Sequence, residues 1–258
     1  FSNSPGNVKN QSANVNNMRM TAHFQSKRKR YESFLTMISN KAASSENGGL
    51  IKSDLLDSLS LGNPYELDTR LGVSGMTFKN PFNTSISTGT TYKESIFLLK
   101  QTYDVGQKDS IVKDTVTTYM FYPRLRFQNE LKFKTSQYLF DDQNPDSIGY
   151  KNYFNFTIPI GKEMTFQDNW KVLNDEFSLI SYPQKNNSNQ FLQLATGYIN
   201  YTASFPNQAG WSNYDLYAFA VYKNKTRNQL WDMLASGKLY INGYHAGDYK
   251  PRFICQGF

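Results

Sequence analysis

The stretch from Tyr119 to Phe140, YMFYPRLRFQNELKFKTSQYLF, constrains the fold more than any other part of the chain. In it Leu125, Phe127, Asn129, Leu131 and Phe133 alternate with Arg124, Arg126, Gln128, Glu130, Lys132 and Lys134. A period of two sorts the first set onto one face of a strand and the second onto the other. At helical spacing the same residues would spread charge around the whole cylinder. Aromatic residues gather at both ends, with Tyr119, Phe121 and Tyr122 before and Tyr138 and Phe140 after. Two settings accept such a strand. In a transmembrane β-barrel the apolar face meets lipid and the charged face meets the interior; in a soluble sandwich the apolar face packs on a second sheet.

Composition narrows the classes. The mean hydropathy of -0.61 and the lack of any run near the roughly 18 apolar residues of a spanning helix exclude a helical membrane bundle. A barrel stays open, because half of each barrel strand is polar. The single cysteine, Cys255, excludes an internal disulfide framework and reads as a small packed residue, with no Cys-His signature around it. The net charge of +7 raises nucleic acid, anionic lipid or an anion-lined interior as partners. An RNA-binding sheet sets its aromatics beside its basic residues on one face. Here Phe127 and Phe133 oppose Arg124, Arg126, Lys132 and Lys134, which argues against nucleic acid.

Elsewhere the chain repeats the same rhythm. Met18, Met20, Ala22 and Phe24 alternate with Arg19, Thr21, His23 and Gln25, and the turn Ser26 to Arg30 leads to a second strand, YESFLTMIS. Residues 40–75 break the pattern and read as a long loop, with a short helix around Ser53 to Leu59 and a turn at Gly48 and Gly49. Strand-like segments follow at Tyr92 to Val105 and Val112 to Phe121. Pro123 cannot donate to a ladder, so a bulge or a strand start is expected beside it. After the turn DDQNPDSIG, YKNYFNFTIPIG reads as loop or short strand, and four further strand-like segments reach Tyr249. Around Asp215, Tyr217, Phe219 and Val221 both faces are fairly apolar. This succession of strands and polar turns means all-β, as barrel or sandwich.

Catalytic groups do not converge. His23 and His245 lie far apart and in no metal-binding spacing, and no GxSxG elbow occurs. The neighbours Asp141 and Asp142, or Asp175 and Glu176, point to opposite faces of a strand and cannot act as a glycosidase pair. No enzyme activity, cofactor or metal is expected. Trp211, Trp231 and the many tyrosines could stack on sugar rings, but aromatic belts at a barrel's interfaces explain the same excess.

Several segments together resemble one family. They are Glu46-Asn47-Gly48-Gly49, FLLKQTYDVG from Phe97 to Gly106, the long strand with its following Asn144 to Ser147, and KLYINGYHAGDY. Over Met18 to Tyr249 the chain resembles the β-barrel porins of Bacteroidetes outer membranes. The resemblance implies an outer-membrane location and passive diffusion of small solutes. Architecture alone does not establish conduction. Asp57-Ser58-Leu59 and Asp146-Ser147-Ile148 look like the O-glycosylation motif of the same bacteria, at Ser58 and Ser147.

The reading is a transmembrane antiparallel up-and-down β-barrel, one domain over residues 1–258, present as an interior portion of a longer barrel chain, with 40–75 as an extracellular loop. The polar start FSNSPGNVKNQSANVNN lacks a signal-peptide pattern, in keeping with a processed or interior piece. Arg19, His23, Arg124, Arg126, Gln128, Glu130, Lys132 and Lys134 are expected to line the pore and to favour anions. Leu125, Phe127, Asn129, Leu131 and Phe133 are expected to face lipid or a partner. The alternatives are a barrel that serves as a structural subunit, with other outer-membrane proteins or lipoproteins as partners, and a secreted soluble β-sandwich that binds glycans. Asn129 is the weak point of the lipid face, since a buried amide without a partner is costly there.

Overall fold

The computed structural model describes every residue except 1, 7, 53, 55–56, 58–62, 64–66, 73–85, 114–115, 160, 186, 207, 226–230 and 258. Ten strands run in chain order: β1 (Ser2–Pro5), β2 (Ser12–Gln25), β3 (Tyr31–Ser45), β4 (Thr88–Lys113), β5 (Val116–Asp142), β6 (Met164–Ser181), β7 (Gln190–Ser204), β8 (Trp211–Lys225), β9 (Trp231–Gly243) and β10 (Tyr249–Gly257). They form one sheet in which every strand pairs with its chain neighbours and every pairing is antiparallel. This is the up-and-down order of a barrel wall, in a single sheet instead of the two of a sandwich. The sheet is not closed, and β1 and β10 are its edges.

Register carries the alternation of β5 across the sheet. Arg126 pairs with Asp104, Gln128 with Thr102 and Ser178, and Lys134 with Ile96 and Val172. The even positions of β5 therefore share one face with Glu32 to Asn40 of β3, Glu94 to Asp104 of β4 and Asp215 to Val221 of β8, each taken at alternate residues. The opposite face is an apolar band. Met18, Met20, Phe24, Met37, Phe127, Phe133, Phe177, Leu194, Leu216, Leu239 and Phe253 all lie on it with their side chains exposed. From Leu125 to Phe133 the band runs about 27 Å along the strand at ~3.4 Å per residue. A barrel tilt of about 40° brings that to roughly 20 Å of height, close to the ~25 Å band of outer-membrane barrels. Water would not leave so much apolar surface uncovered on a stable monomer.

The strand ends differ. At one end the connections are short, as at the Ser26 to Arg30 turn, where Lys29 takes φ 54° and the Ser26 carbonyl accepts from its N–H at 2.8 Å. At the other end lie the long connections between β3 and β4 and between β5 and β6. β3 continues through Ser45, so the first residues of the 40–75 stretch are strand and the connection begins at Glu46. Gly48 and Gly49 take φ 62° and 87°, as a turn requires. Most of the expected helix around Ser53 to Leu59, Ser58 included, lies outside the described residues.

The β5–β6 connection holds a helix, α1 (Ser147–Phe154), where the sequence read as loop or short strand. Its periodicity is weak, but its caps are good: the Asp146 side chain accepts from the Ile148 N–H at 3.0 Å, and Asn155 closes it in the left-handed region. Ser147 is its first residue. The Tyr150 hydroxyl donates to Asp142 Oδ2 at 2.8 Å and the Thr88 hydroxyl to Oδ1 at 2.9 Å, tying α1 down onto the polar face of β5. Leu71, Tyr150 and Ile158 pack there with Phe140 and Met164, the one compact apolar cluster of the fold among the described residues. Burial, and then the bond to Asp142, push the Tyr150 phenol well above its ordinary range.

The bulge expected near Pro123 is present. Val105 pairs with Leu125 and Gly106 with Pro123, so Arg124 is the extra residue and the proline meets a glycine whose backbone closely approaches its own. Beyond it β4 and β5 project past their neighbours as a hairpin. Lys185 reaches from the β6–β7 turn to Asp109 at 2.5 Å and over the Tyr122 ring at 4.9 Å. Cys255 is exposed on β10, against the expectation of a packed residue, because an edge strand has a neighbour on one side only.

Candidate functional site: the polar face of the sheet

The residues singled out on β5 are brought together with those of β2 on one face. Arg126 makes a bidentate pair with Asp104, Nε to Oδ1 at 2.6 Å and Nη2 to Oδ2 at 2.8 Å. Lys134 Nζ lies 2.5 Å from Glu94, whose other oxygen accepts from Asn40 at 3.4 Å. Gln128 is buried between Thr102 and Ser178. Glu130 stands across from Lys100 and Glu176, and Lys132 across from Leu98 and Asn174. His23 bonds Glu32 at 2.9 Å and stacks on Phe34 at 4.2 Å. Arg19 pairs in register with Ile38. Arg124 departs from the row, because its bulge sends Nη1 to the Pro183 carbonyl at 2.6 Å.

Cross-strand pairing therefore changes the charge read from one strand. Two of the basic residues on β5 are neutralised by carboxylates of β4, which no single-strand pattern could show. Among the described residues Arg19, Lys100 and Lys132 have no carboxylate within ion-pair distance.

On the opposite face Leu125, Phe127, Leu131 and Phe133 sit in the apolar band, and Phe127 packs on Phe177 at 6.4 Å. Asn129 is satisfied: its Nδ2 donates to Asp175 Oδ1 at 2.7 Å and to the Glu176 carbonyl at 3.3 Å. The same bond leaves a carboxylate, Asp175, exposed in the middle of the band.

A second polar cluster, on β6 to β9, is absent from the sequence reading. Tyr217 is 1 % exposed; its hydroxyl donates to Glu176 Oε2 at 2.8 Å and also lies 3.1 Å from the Asn174 amide. The far end of its ring sits over Gly197, in space that a Cβ there would fill. Lys238 Nζ sits 3.5 Å from the ring centroid. Asp215 is fully buried; its Oδ1 accepts from the His245 N–H at 2.8 Å and its Oδ2 lies 2.6 Å from His245 Nδ1. The two fairly apolar faces read around Asp215 to Val221 arise because this part of the polar face is paved with tyrosine. The available signal was Gly197 two strands from a lysine, which pattern reading on separate strands does not join. No three of the described His, Cys, Asp and Glu side chains group as metal ligands do.

An antiparallel up-and-down sheet with an apolar outer band and an opposite face rich in ion pairs and hydrogen-bonded side chains defines the class of β-barrel membrane proteins, which cross the bilayer with strands. No helix among the described residues is long and apolar enough to do so. The chain belongs to the family described as "Putative porin", whose family model matches residues 2–254. No curated protein and no solved structure matches it. Membership points to the outer membrane and to a channel in place of a catalyst.

Proposed function

We propose that the sheet is wall of an outer-membrane porin-like barrel through which small hydrophilic solutes diffuse passively. The observation that carries this reading is the two-faced sheet: one face offers lipid an apolar band, and the other offers water ion pairs and hydrogen-bonded polar side chains set among a few apolar ones. Arg19, Lys100 and Lys132 keep free positive charge on that face, while Arg126 and Lys134 are compensated. The reading is a modest preference for anions, smaller than β5 alone suggests. Conductance of the full protein in a planar bilayer tests it. Discrete steps with a reversal potential on the anion side in a low-salt gradient are expected; silence, or a cation preference, refutes it.

Asp175 favours a second reading, a barrel that also serves as a subunit of an outer-membrane complex. A carboxylate facing hydrocarbon is destabilising, by less for Asp than the ~2 to 4 kcal/mol seen for Lys or Arg at the midplane. A partner protein with a donor at that height removes the cost. Stoichiometric co-purification that D175L weakens, with L131A as a control on the same strand pair, tests it. The outer membrane of Bacteroidetes-like bacteria, and glycosylation at Ser147 on the half-exposed first turn of α1, belong to the same proposal.

A further inference from the structure

At the end of the long connections the polar face carries an aromatic cleft of about 640 Å³, lined by Trp170, Tyr201, Phe205, Trp211, Tyr244 and His245 with Gln208 at its rim. Register sets these rings apart from an interfacial belt. Trp170 pairs with Ser136 and Ala203, and Ala203 with Trp211, on the same face as Lys134 and Asp215. Aromatic belts of barrels stand on the lipid side, whereas these rings stand on the side of the ionic residues. Large aromatics uncovered on a water-facing surface are the informative exception to burial. Trp170 is 40 % exposed and Tyr244 61 %.

Geometry and charge select the ligand. The rings meet at interplanar angles of 57° between Trp170 and Trp211, 41° between Tyr201 and Trp211, and 85° between Trp211 and Tyr244. No pair in the cleft is stacked face to face, and the exposed parts of the Trp170 and Tyr244 rings offer apolar surface to a flat ligand. A cationic ligand would find ring faces but no carboxylate in the lining. An anionic ligand lacks a lysine or arginine in the lining. What fits is a neutral ring with one apolar face and a polar edge, and the Gln208 amide and the His245 edge supply hydrogen-bonding groups to that edge. The volume lies within the range of ligand sites and takes more than one such ring.

We infer that this cleft is a saccharide subsite, in which a pyranose stacks on Trp170 and Trp211 at the loop end of the polar face. The inference rests on that face being wetted; it does not require the protein to conduct. The test is isothermal titration calorimetry of the full protein in detergent micelles with maltotriose, lactose and N,N′-diacetylchitobiose, with sorbitol and choline as acyclic and cationic controls. At least one of the three sugars is expected to bind, and W211A and W170A each to weaken it about tenfold or more, the loss of one good aromatic contact. W231A, on a residue outside the cleft, leaves binding unchanged. Y244A removes an exposed ring from the β9–β10 turn and so reads the same site without disturbing a strand; it is expected to weaken the sugar too. No heat from any of the three sugars, binding indifferent to W170A, W211A and Y244A, or choline bound in preference overturns the assignment. Binding by a protein that forms no channel supports the subsite and refutes only the pore.

Discussion

Gly197→Ala puts the tyrosine-paved cluster to the test. A Cβ at position 197 would lie 2.7 Å from Tyr217 Cε1 and closer still to Cζ and the hydroxyl oxygen, so the ring must leave. Leaving breaks the bond to the Glu176 carboxylate, about 1.5 to 3 kcal/mol for a charged acceptor, and gives up the polar contact with Asn174. It also gives up the Lys238 contact, about 0.5 to 1 kcal/mol where partly exposed. Against this, alanine gains roughly 0.5 to 1 kcal/mol over glycine in a strand. The net loss is about 1 to 3.5 kcal/mol. Urea unfolding of the micelle-bound protein, followed by tryptophan fluorescence, measures it as a fall in midpoint at unchanged slope. Gly237→Ala is the matched control, because a Cβ there meets nothing within 4 Å. In a Tyr217→Ala background the Gly197→Ala cost should vanish, as a double-mutant cycle between touching residues requires. Equal midpoints for G197A and wild type, or a G237A loss as large as that of G197A, would refute the reasoning.

Other outcomes follow from the same geometry. Y150F removes the bond to buried Asp142 and should free α1 from β5, seen as faster proteolysis within 147–163 and a loss of about 1.5 to 3 kcal/mol. Because the Tyr150 phenol is raised in the fold, the neutral form is the one the fold favours. Its contribution is full below the unfolded value near 10, and it falls as pH rises through the higher folded value; alkaline exposure should therefore loosen α1 in wild type and leave Y150F unaffected. D104N unmasks Arg126 and should move the reversal potential further toward anions, with K132Q moving it back. If lipid covers the apolar band, D175L raises the unfolding midpoint in detergent; a lower midpoint means that the Asn129 bond outweighs the burial.

The sheet was legible because β5 is long enough for alternation to be unambiguous, and its neighbours repeat the period. Pro123 announced its bulge, since a missing N–H leaves few other solutions. What lay beyond reading was whatever depends on two strands at once. Arg126 and Lys134 look like free charge on their own strand and become ion pairs only once β4 is in register. Asn129 looks like an unsatisfied amide until Asp175 is seen beside it. Tyr217 looks like an ordinary apolar position until the missing side chain of Gly197 is seen to leave room for its ring. The helix α1 escaped notice because tertiary anchoring through Tyr150, and not an amphipathic stripe, holds it.

The projecting β4–β5 hairpin has a use in fixing sidedness. From Gly106 to Lys113 it extends about 24 Å at ~3.4 Å per residue, beyond the last residues paired with β3 and β6. An epitope inserted in this hairpin beyond Gly106 lies past the residues paired with β3 and β6 and reports directly whether that end of the sheet is outside the cell. Because successive connections of an up-and-down sheet must alternate between the two ends, one antibody on intact cells would orient every strand, the saccharide cleft and α1 together.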